Sequence, residues 1–421
     1  MTIATISQVE PHPENPPAVS LTVEENQLVV EAVSSKSASS RLFYIDKLRF
    51  SLTVLVVLHH CFVVVRSYWK PFYGPWQIDS ATHIVADMFL TGNQAYFMGL
   101  FFFMAGLVTG PSLKRKGSFS FLKDRFYRLI IPFALYEYIF FPFLYCFVES
   151  TYYGPRRGVT MSVSFEWAYF YDNFEKTNGT HMWFTLLLFV FNLIAVALLA
   201  VFKSWKTFVF TQHPIESISQ NSMILIFTTT SLILIVLNFL LRLAMPNGYI
   251  WIYVWGNLGF LMQYCVAFTA GIVANSYRFL DHLSKSHLLM TLGCSLFFYL
   301  SFQVFQTYLD DYFRKTIGFY GQIFLVTLFE QPFAVCWSYS LLVLFKEYQN
   351  GEPSKFFSRL IGSAYSTYIV HQYIVVPITV GLAYADIHPL IVILILCVVC
   401  PLPAWGLGML FKAIPGSSII L

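Results

Sequence analysis

Apolar runs of about twenty residues, separated by short polar stretches, recur from residue 48 almost to the end of the chain. They cover 48–68, 86–108, 129–149, 183–203, 221–241, 250–274, 287–308, 321–345, 361–383 and 388–411. Each is long enough for a helix to cross a hydrocarbon core of roughly 30 Å, which takes about 20 residues. The pattern predicts an all-α fold: a polytopic transmembrane helix bundle of about ten spans. The least regular runs are 129–149, with Pro132 and Pro142 inside and Glu149 at its end, and 287–308. Residues 1–40 are polar, with Pro, Ser and Glu throughout. They have no basic start followed by an apolar stretch, so no cleavable signal peptide is expected. They read as a disordered cytoplasmic tail, ahead of a membrane domain at 41–421. No internal repeat stands out, which weighs against an inverted-repeat transporter.

Composition narrows the class further. Apolar residues make up 57% and charged residues 11%, against about 25% charged in a soluble globular chain. A soluble enzyme, a disordered protein and a coiled coil are excluded. The alternating strands of an outer-membrane barrel would not leave unbroken apolar runs. A net charge of +4 gives no nucleic-acid reading; the placement of the charges matters more. Of the 26 Lys and Arg, 18 fall in the tail and every second loop after it. By the positive-inside bias both termini are cytoplasmic, in agreement with an even number of spans. The longest loop on the opposite side, 150–182, is rich in aromatic residues and ends in a glycosylation sequon, Asn178-Gly179-Thr180. The seven Cys lie in or beside apolar runs and have no metal-ligand spacing. They imply no disulfide framework and no metal site.

Function is then sought in the polar residues that interrupt apolar runs, because each is costly there. The first span opens on Asp46-Lys47-Leu48-Arg49 and reaches His59-His60. Arg49 and His60 are eleven residues apart, about 1100° of helical turn, so they share one face with a rise of about 16 Å. Asp46 and Arg49, three apart, can pair. Arg49 is either a site residue or a snorkelling anchor. His60 is either a proton acceptor or a hydrogen-bonded packing residue. His59 points about 100° away, toward packing. Further on, Arg125 and Arg128 share a face, and two guanidinium forks at that spacing suit a phosphate or pyrophosphate. Lys114, Arg115 and Lys116 stand nearby, and Pro132 is expected to end or kink the helix. His181 opens the fourth span, Glu330 lies within the eighth, and His371 within the ninth. A buried carboxylate needs a cation or must be protonated, so Glu330 is expected to pair with Arg49 or a His.

Taken in order, these residues resemble the acyltransferase 3 family of membrane-bound acyltransferases over about 41–421. Arg41 to Arg49 and on to His60 is similar to the family's opening helix, with an Arg and a His eleven apart. Asn93-Gln94-Ala95 to Phe101-Phe102-Phe103-Met104-Ala105-Gly106 resembles its second helix. Ser112 to Pro132 resembles the loop that carries its Arg-x-x-Arg. His181-Met182-Trp183-Phe184, Tyr365 to His371, and Ile414-Pro415-Gly416 fit as well. Lys47 and Ala105 depart from the family's usual residues at places away from the proposed chemistry.

The resemblance implies an O-acyltransferase that moves an acyl group, acetyl by default, from cytoplasmic acyl-CoA to a hydroxyl of a carbohydrate or lipid-linked acceptor. His60 would be the catalytic base and Arg49 its motif partner. Arg125, Arg128 and Lys116 would contact the acyl donor, with Asp46, His181, Glu330 and His371 in support. No bound cofactor is implied; acyl-CoA is a co-substrate. The partners are the acceptor and the lipid bilayer, most simply that of the cell membrane, with no nucleic acid. No Ser or Cys with a nearby base points to an acyl-enzyme. Acceptor choice is expected to come from the membrane domain and its loops. The rival reading is a proton-coupled secondary transporter, with His60, Glu330 and His371 as a relay.

Overall fold

The computed structural model describes residues 42–66, 74–156, 158, 180–244, 251–252 and 256–421. The expected tail at 1–40, Asn178 of the sequon and most of the 150–182 loop lie outside the described residues.

The fold is helical. In chain order the helices are α1 (Phe43–Val65), α2 (Ser80–Lys116), α3 (Ser118–Arg156), α4 (Trp183–Val201) and α5 (Lys203–Phe210). There follow α6 (Gln220–Ala244), α7 (Leu261–Ser276), α8 (Lys285–Leu309) and α9 (Gly318–Gln349). The chain ends in α10 (Lys355–Gly362), α11 (Ala364–Val370), α12 (Gln372–Leu382), α13 (Pro389–Val399) and α14 (Pro401–Ala413). The described residues hold one strand pair, Trp251–Ile252 against Gly256–Asn257, antiparallel. Seven helices are long and apolar enough to cross a membrane, and an eighth crossing arises if α13 and α14, bent by 40°, are one span.

Helix underlies all ten expected runs, but three of them differ from single long spans. The run at 250–274 contributes only the 16 residues of α7. The run at 361–383 is divided at His371 into α11 and α12, and that at 388–411 is bent at Cys400 between α13 and α14. The apolar pattern reports burial in hydrocarbon and does not report such breaks.

The interior crossing of α2 with α7 depends on two glycines. A Cβ on Gly106 would strike the Phe268 carbonyl, and one on Gly271 the Phe103 carbonyl. Small residues let membrane helices approach to backbone contact. Gln263 strengthens the crossing by donating to the Ala95 carbonyl at 2.5 Å.

Helix α3 departs most from the expected course. Pro132 does not end it; the helix runs for 39 residues in all, from Ser118 to Arg156. A proline removes an N–H and its ring crowds the carbonyl four residues earlier. Here the backbone widens to π-helix at Phe126–Ile130, Tyr136–Phe140 and Glu149–Tyr153. Each widened segment comes just before Pro132, Pro142 or Pro155. Tyrosine hydroxyls from the α11–α12 region then serve carbonyls of α3. Tyr365 donates to Arg128, Tyr373 to Phe140 and Tyr384 to Thr151. Arg128 and Thr151 stand four residues before Pro132 and Pro155, so those two hydroxyls replace the N–H that the proline lacks.

Removing one rung tests this account. Tyr365→Phe removes the donor to the Arg128 carbonyl, a net loss of about 0.5–1.5 kcal/mol, read as a lower Tm of the solubilised protein. Adding Pro132→Ala supplies a backbone N–H and recovers most of the loss. A Tm that does not respond to Tyr365→Phe, or a double variant no better than the single one, contradicts it.

Candidate active site

His60 lies in the second turn from the end of α1 and meets His371 at the α11–α12 break. His371 Nδ1 is 2.7 Å from the Tyr368 carbonyl, and its Nε2 is 3.2 Å from His60 Nδ1. His60 Nδ1 is also 2.9 Å from the Val56 carbonyl. These partners assign the tautomers of the two neutral rings. A carbonyl only accepts, so His371 Nδ1 carries the hydrogen and its Nε2 carries the lone pair. His60 Nδ1 faces that lone pair and a carbonyl, so it too carries hydrogen. The lone pair of His60 is therefore on Nε2, the state a general base requires.

His181 completes a group of three imidazoles. Its ring centroid is 5.8 Å from His60 and 4.7 Å from His371. Tyr136 meets it edge-on at 4.7 Å, and the Tyr368 hydroxyl donates to its backbone carbonyl. Both ring nitrogens of His181 are buried with no hydrogen-bond partner. His59 turns away, as its position on the helix predicts, and packs 5.1 Å from Phe97.

The basic residues gather beside the first turns of α1 and α3. Asp46 and Arg49 pair at 3.6 Å. Asp124 holds Lys116 at 3.1 Å and Arg128 at 3.3 Å. Arg125 lies over the Phe121 ring, within electrostatic range of both Arg49 and Arg128, and its Nε has no hydrogen-bond partner. Cations so arranged offer several hydrogen-bond donors to an anion.

Helix α11 links this group to the histidines. Tyr365, Tyr368 and His371 recur every three residues, so they lie along one side of the helix. Tyr365 bonds the Arg128 backbone, Tyr368 bonds that of His181, and His371 bonds the His60 ring. From Tyr365 to His371 the rise is about 9 Å.

Glu330 stands apart, and the expectation that it pairs with Arg49 or a His is corrected. Its carboxylate takes Arg242 Nη2 at 2.7 Å and the Gln331 amide at 3.0 Å. Arg242 also donates to Thr327 and to the Gly259 carbonyl. Arg242 lies inside the last turn of α6 and is 3% exposed. Two opposite charges taken out of water satisfy each other where helix packing brings them together, irrespective of their spacing in sequence.

Several residues of the site escape a sequence reading. Asp124 organises the basic group. Glu137 is 5% exposed in the middle of α3, accepts from the Thr180 hydroxyl through Oε1, and has no partner for Oε2. An acid inside an apolar run drew attention to Glu330 and was equally visible at Glu137. Tyr136 and Gln372 are also fully buried, with their polar side-chain atoms unpartnered. None of the seven cysteines forms a disulfide, and the described residues contain no cluster of three or more His, Cys, Asp or Glu able to hold a metal.

A family model described as an acyltransferase domain matches residues 42–408. No curated protein and no solved structure matches the chain.

The ion pair between α6 and α9 lends itself to a stability test. Glu330→Ala strips a buried guanidinium of its counter-charge and should cost about 3–5 kcal/mol. Replacing both partners, Arg242→Met with Glu330→Met, should recover most of the lost Tm. A single variant as stable as the parent would show that the pair does not hold α6 to α9.

Proposed function

The chain belongs to the acyltransferase 3 family, and on that premise we propose that it transfers an acyl group from acyl-CoA to a hydroxyl-bearing acceptor. It is a multi-pass membrane protein, in our reading of the cell membrane. Acetyl is the simplest acyl group, and a carbohydrate or lipid-linked glycan the simplest acceptor. The observation that carries the reading is the His60–His371 hydrogen bond, which leaves the lone pair on His60 Nε2, on the helix that also bears Arg49.

In this mechanism the CoA phosphates bind Arg125, Arg128 and Lys116 at the cytoplasmic face, with Arg49 orienting the donor between them and the histidines. The acyl thioester extends along α11 toward His60. His60 Nε2 takes the proton of the acceptor hydroxyl as the oxygen attacks the thioester carbon. The carbon–sulfur bond breaks, and the departing CoA thiolate takes the proton back from His60. The enzyme ends the cycle unchanged. His371 acts through His60: it accepts from Nδ1–H and holds the ring with Nε2 toward the substrate. General base catalysis of this kind contributes about 10²–10⁴-fold.

The transporter reading needed Glu330 on a relay with the two histidines. Its carboxylate is instead committed to Arg242, and an acyltransferase family offers that reading no support.

Donor binding and chemistry should separate. His60→Ala in membranes with labelled acyl-CoA should lower kcat about 10²–10⁴-fold and leave the KM for acyl-CoA near its parent value. Undiminished transfer would sink the assignment. Arg125→Gln with Arg128→Gln should do the reverse. Two charge-assisted contacts contribute roughly 1.5–3 kcal/mol each; a loss of about 3 kcal/mol raises the KM for acyl-CoA more than a hundredfold. Lys at both positions should rescue only in part, since an ammonium lacks the planar fork. An unaltered KM in the double Gln variant would refute the donor site.

A further inference from the structure

Resting on the acyltransferase reading, we propose that Glu137 is the residue that binds the acceptor, by accepting a hydrogen bond from a second hydroxyl next to the one that is acylated. Glu137 carries a carboxyl group within a candidate membrane span, and among the described residues no Lys or Arg pairs with it. Its Oε1 takes the Thr180 hydroxyl, and its Oε2 has nothing. Such an atom is costly in hydrocarbon unless a donor reaches it.

Its surroundings place that vacancy next to the reaction centre. Tyr136, the residue before it, lays its ring against His181, and its own hydroxyl has no partner. Thr180, its hydrogen-bond donor, is the residue before His181. The Tyr368 hydroxyl is within its electrostatic range. Tyr136 and Glu137 are both buried in the π-helical turn at Tyr136–Phe140, and such turns are frequent at functional sites. Unpartnered atoms of His181 and Tyr136, and of Glu137 through Thr180, therefore lie on the side of His181 and its neighbours beside His60. A ligand that satisfies them carries several hydroxyls. A monohydric alcohol offers its one hydroxyl to His60 and leaves Glu137 bare.

The two buried acids differ in this respect. Glu330 has an arginine and an amide, both on Oε2, and so has a structural part. Glu137 has no cation, and its Oε2 has no partner within the protein.

The test measures acyl transfer from labelled acyl-CoA in membranes to propan-1-ol, propane-1,2-diol, glycerol and methyl glucoside. The parent should prefer the polyols to propan-1-ol by tenfold or more in kcat/KM. Glu137→Gln should raise the polyol KM roughly two- to tenfold, the loss of one accepted hydrogen bond, and bring the alcohols toward parity. Glu137→Asp, which keeps the carboxyl group on a shorter arm, should restore part of the preference. Retained acyl-CoA binding shows that each variant is folded. Equal use of propan-1-ol and polyols by the parent, or an unchanged preference in Glu137→Gln, overturns the assignment. So does consumption of acyl-CoA with no polyol acylated. A parent that consumes no acyl-CoA at all counts against the acyltransferase reading itself, a separate result.

Discussion

A polar group in hydrocarbon must find its partner within the protein, and much of this architecture follows from that constraint acting on one helix. Prolines at 132, 142 and 155 would each disturb α3. The helix survives because it widens before each proline and because three tyrosines donate to its carbonyls. Those tyrosines are spread over residues 365–384, so the bonds hold the α11–α12 segment along the length of α3. The same segment carries His371 and Tyr368. Backbone satisfaction and placement of the site are one set of contacts.

Much of the fold was legible because lipid imposes a simple rule on sequence. Apolar runs marked the helices, and helical arithmetic put Arg49 and His60 on one face with His59 turned aside, as the structure has it. What could not be read was partner choice. Glu330 and Arg242 are 88 residues apart, and nothing local to either names the other. Pro132 carried the right local signal, a lost N–H, but the remedy came from Tyr365, 233 residues away from it in sequence. Asp124 sat between Lys123 and Arg125 and read as part of a charged loop; only the fold shows it holding Lys116 and Arg128 together. Glu137 was visible by the same criterion that singled out Glu330. Its standing depends on the missing partner, which is a tertiary fact.

The histidines show why hydrogen-bond direction matters more here than charge. A carboxylate behind His60 would hold it strongly but would itself need a counter-charge in a low-dielectric site. A neutral imidazole in that position needs none. His371 can accept from His60 only because the Tyr368 carbonyl takes its other nitrogen's hydrogen. The break between α11 and α12 falls at that residue, where one ring bonds its own helix and the neighbouring one together. The order Tyr368 carbonyl, His371, His60 is thus a directed chain ending in a lone pair, assembled without burying a net charge.

That economy also explains the division of labour along the bundle. Cations are placed where α1 and α3 begin, beside Asp46 and Asp124, in side chains with solvent access: Arg49 and Arg128 remain 43% and 45% exposed. There an anionic donor can be attracted without the full cost of desolvating the protein's own charges. The histidine group, about 16 Å along α1 from Arg49, is neutral and has no Lys or Arg paired to it among the described residues. In the proposed reaction the thioester and the hydroxyl are both uncharged, so both could enter such a place while the CoA phosphates stayed with the arginines. Around the histidines the interior keeps only directed hydrogen bonds; the charges buried elsewhere, Arg242 and Glu330, neutralise each other. Near the histidines the apparent exception is the carboxyl group of Glu137, where, on the proposed reading, a hydroxyl from outside the chain supplies the partner that the protein lacks.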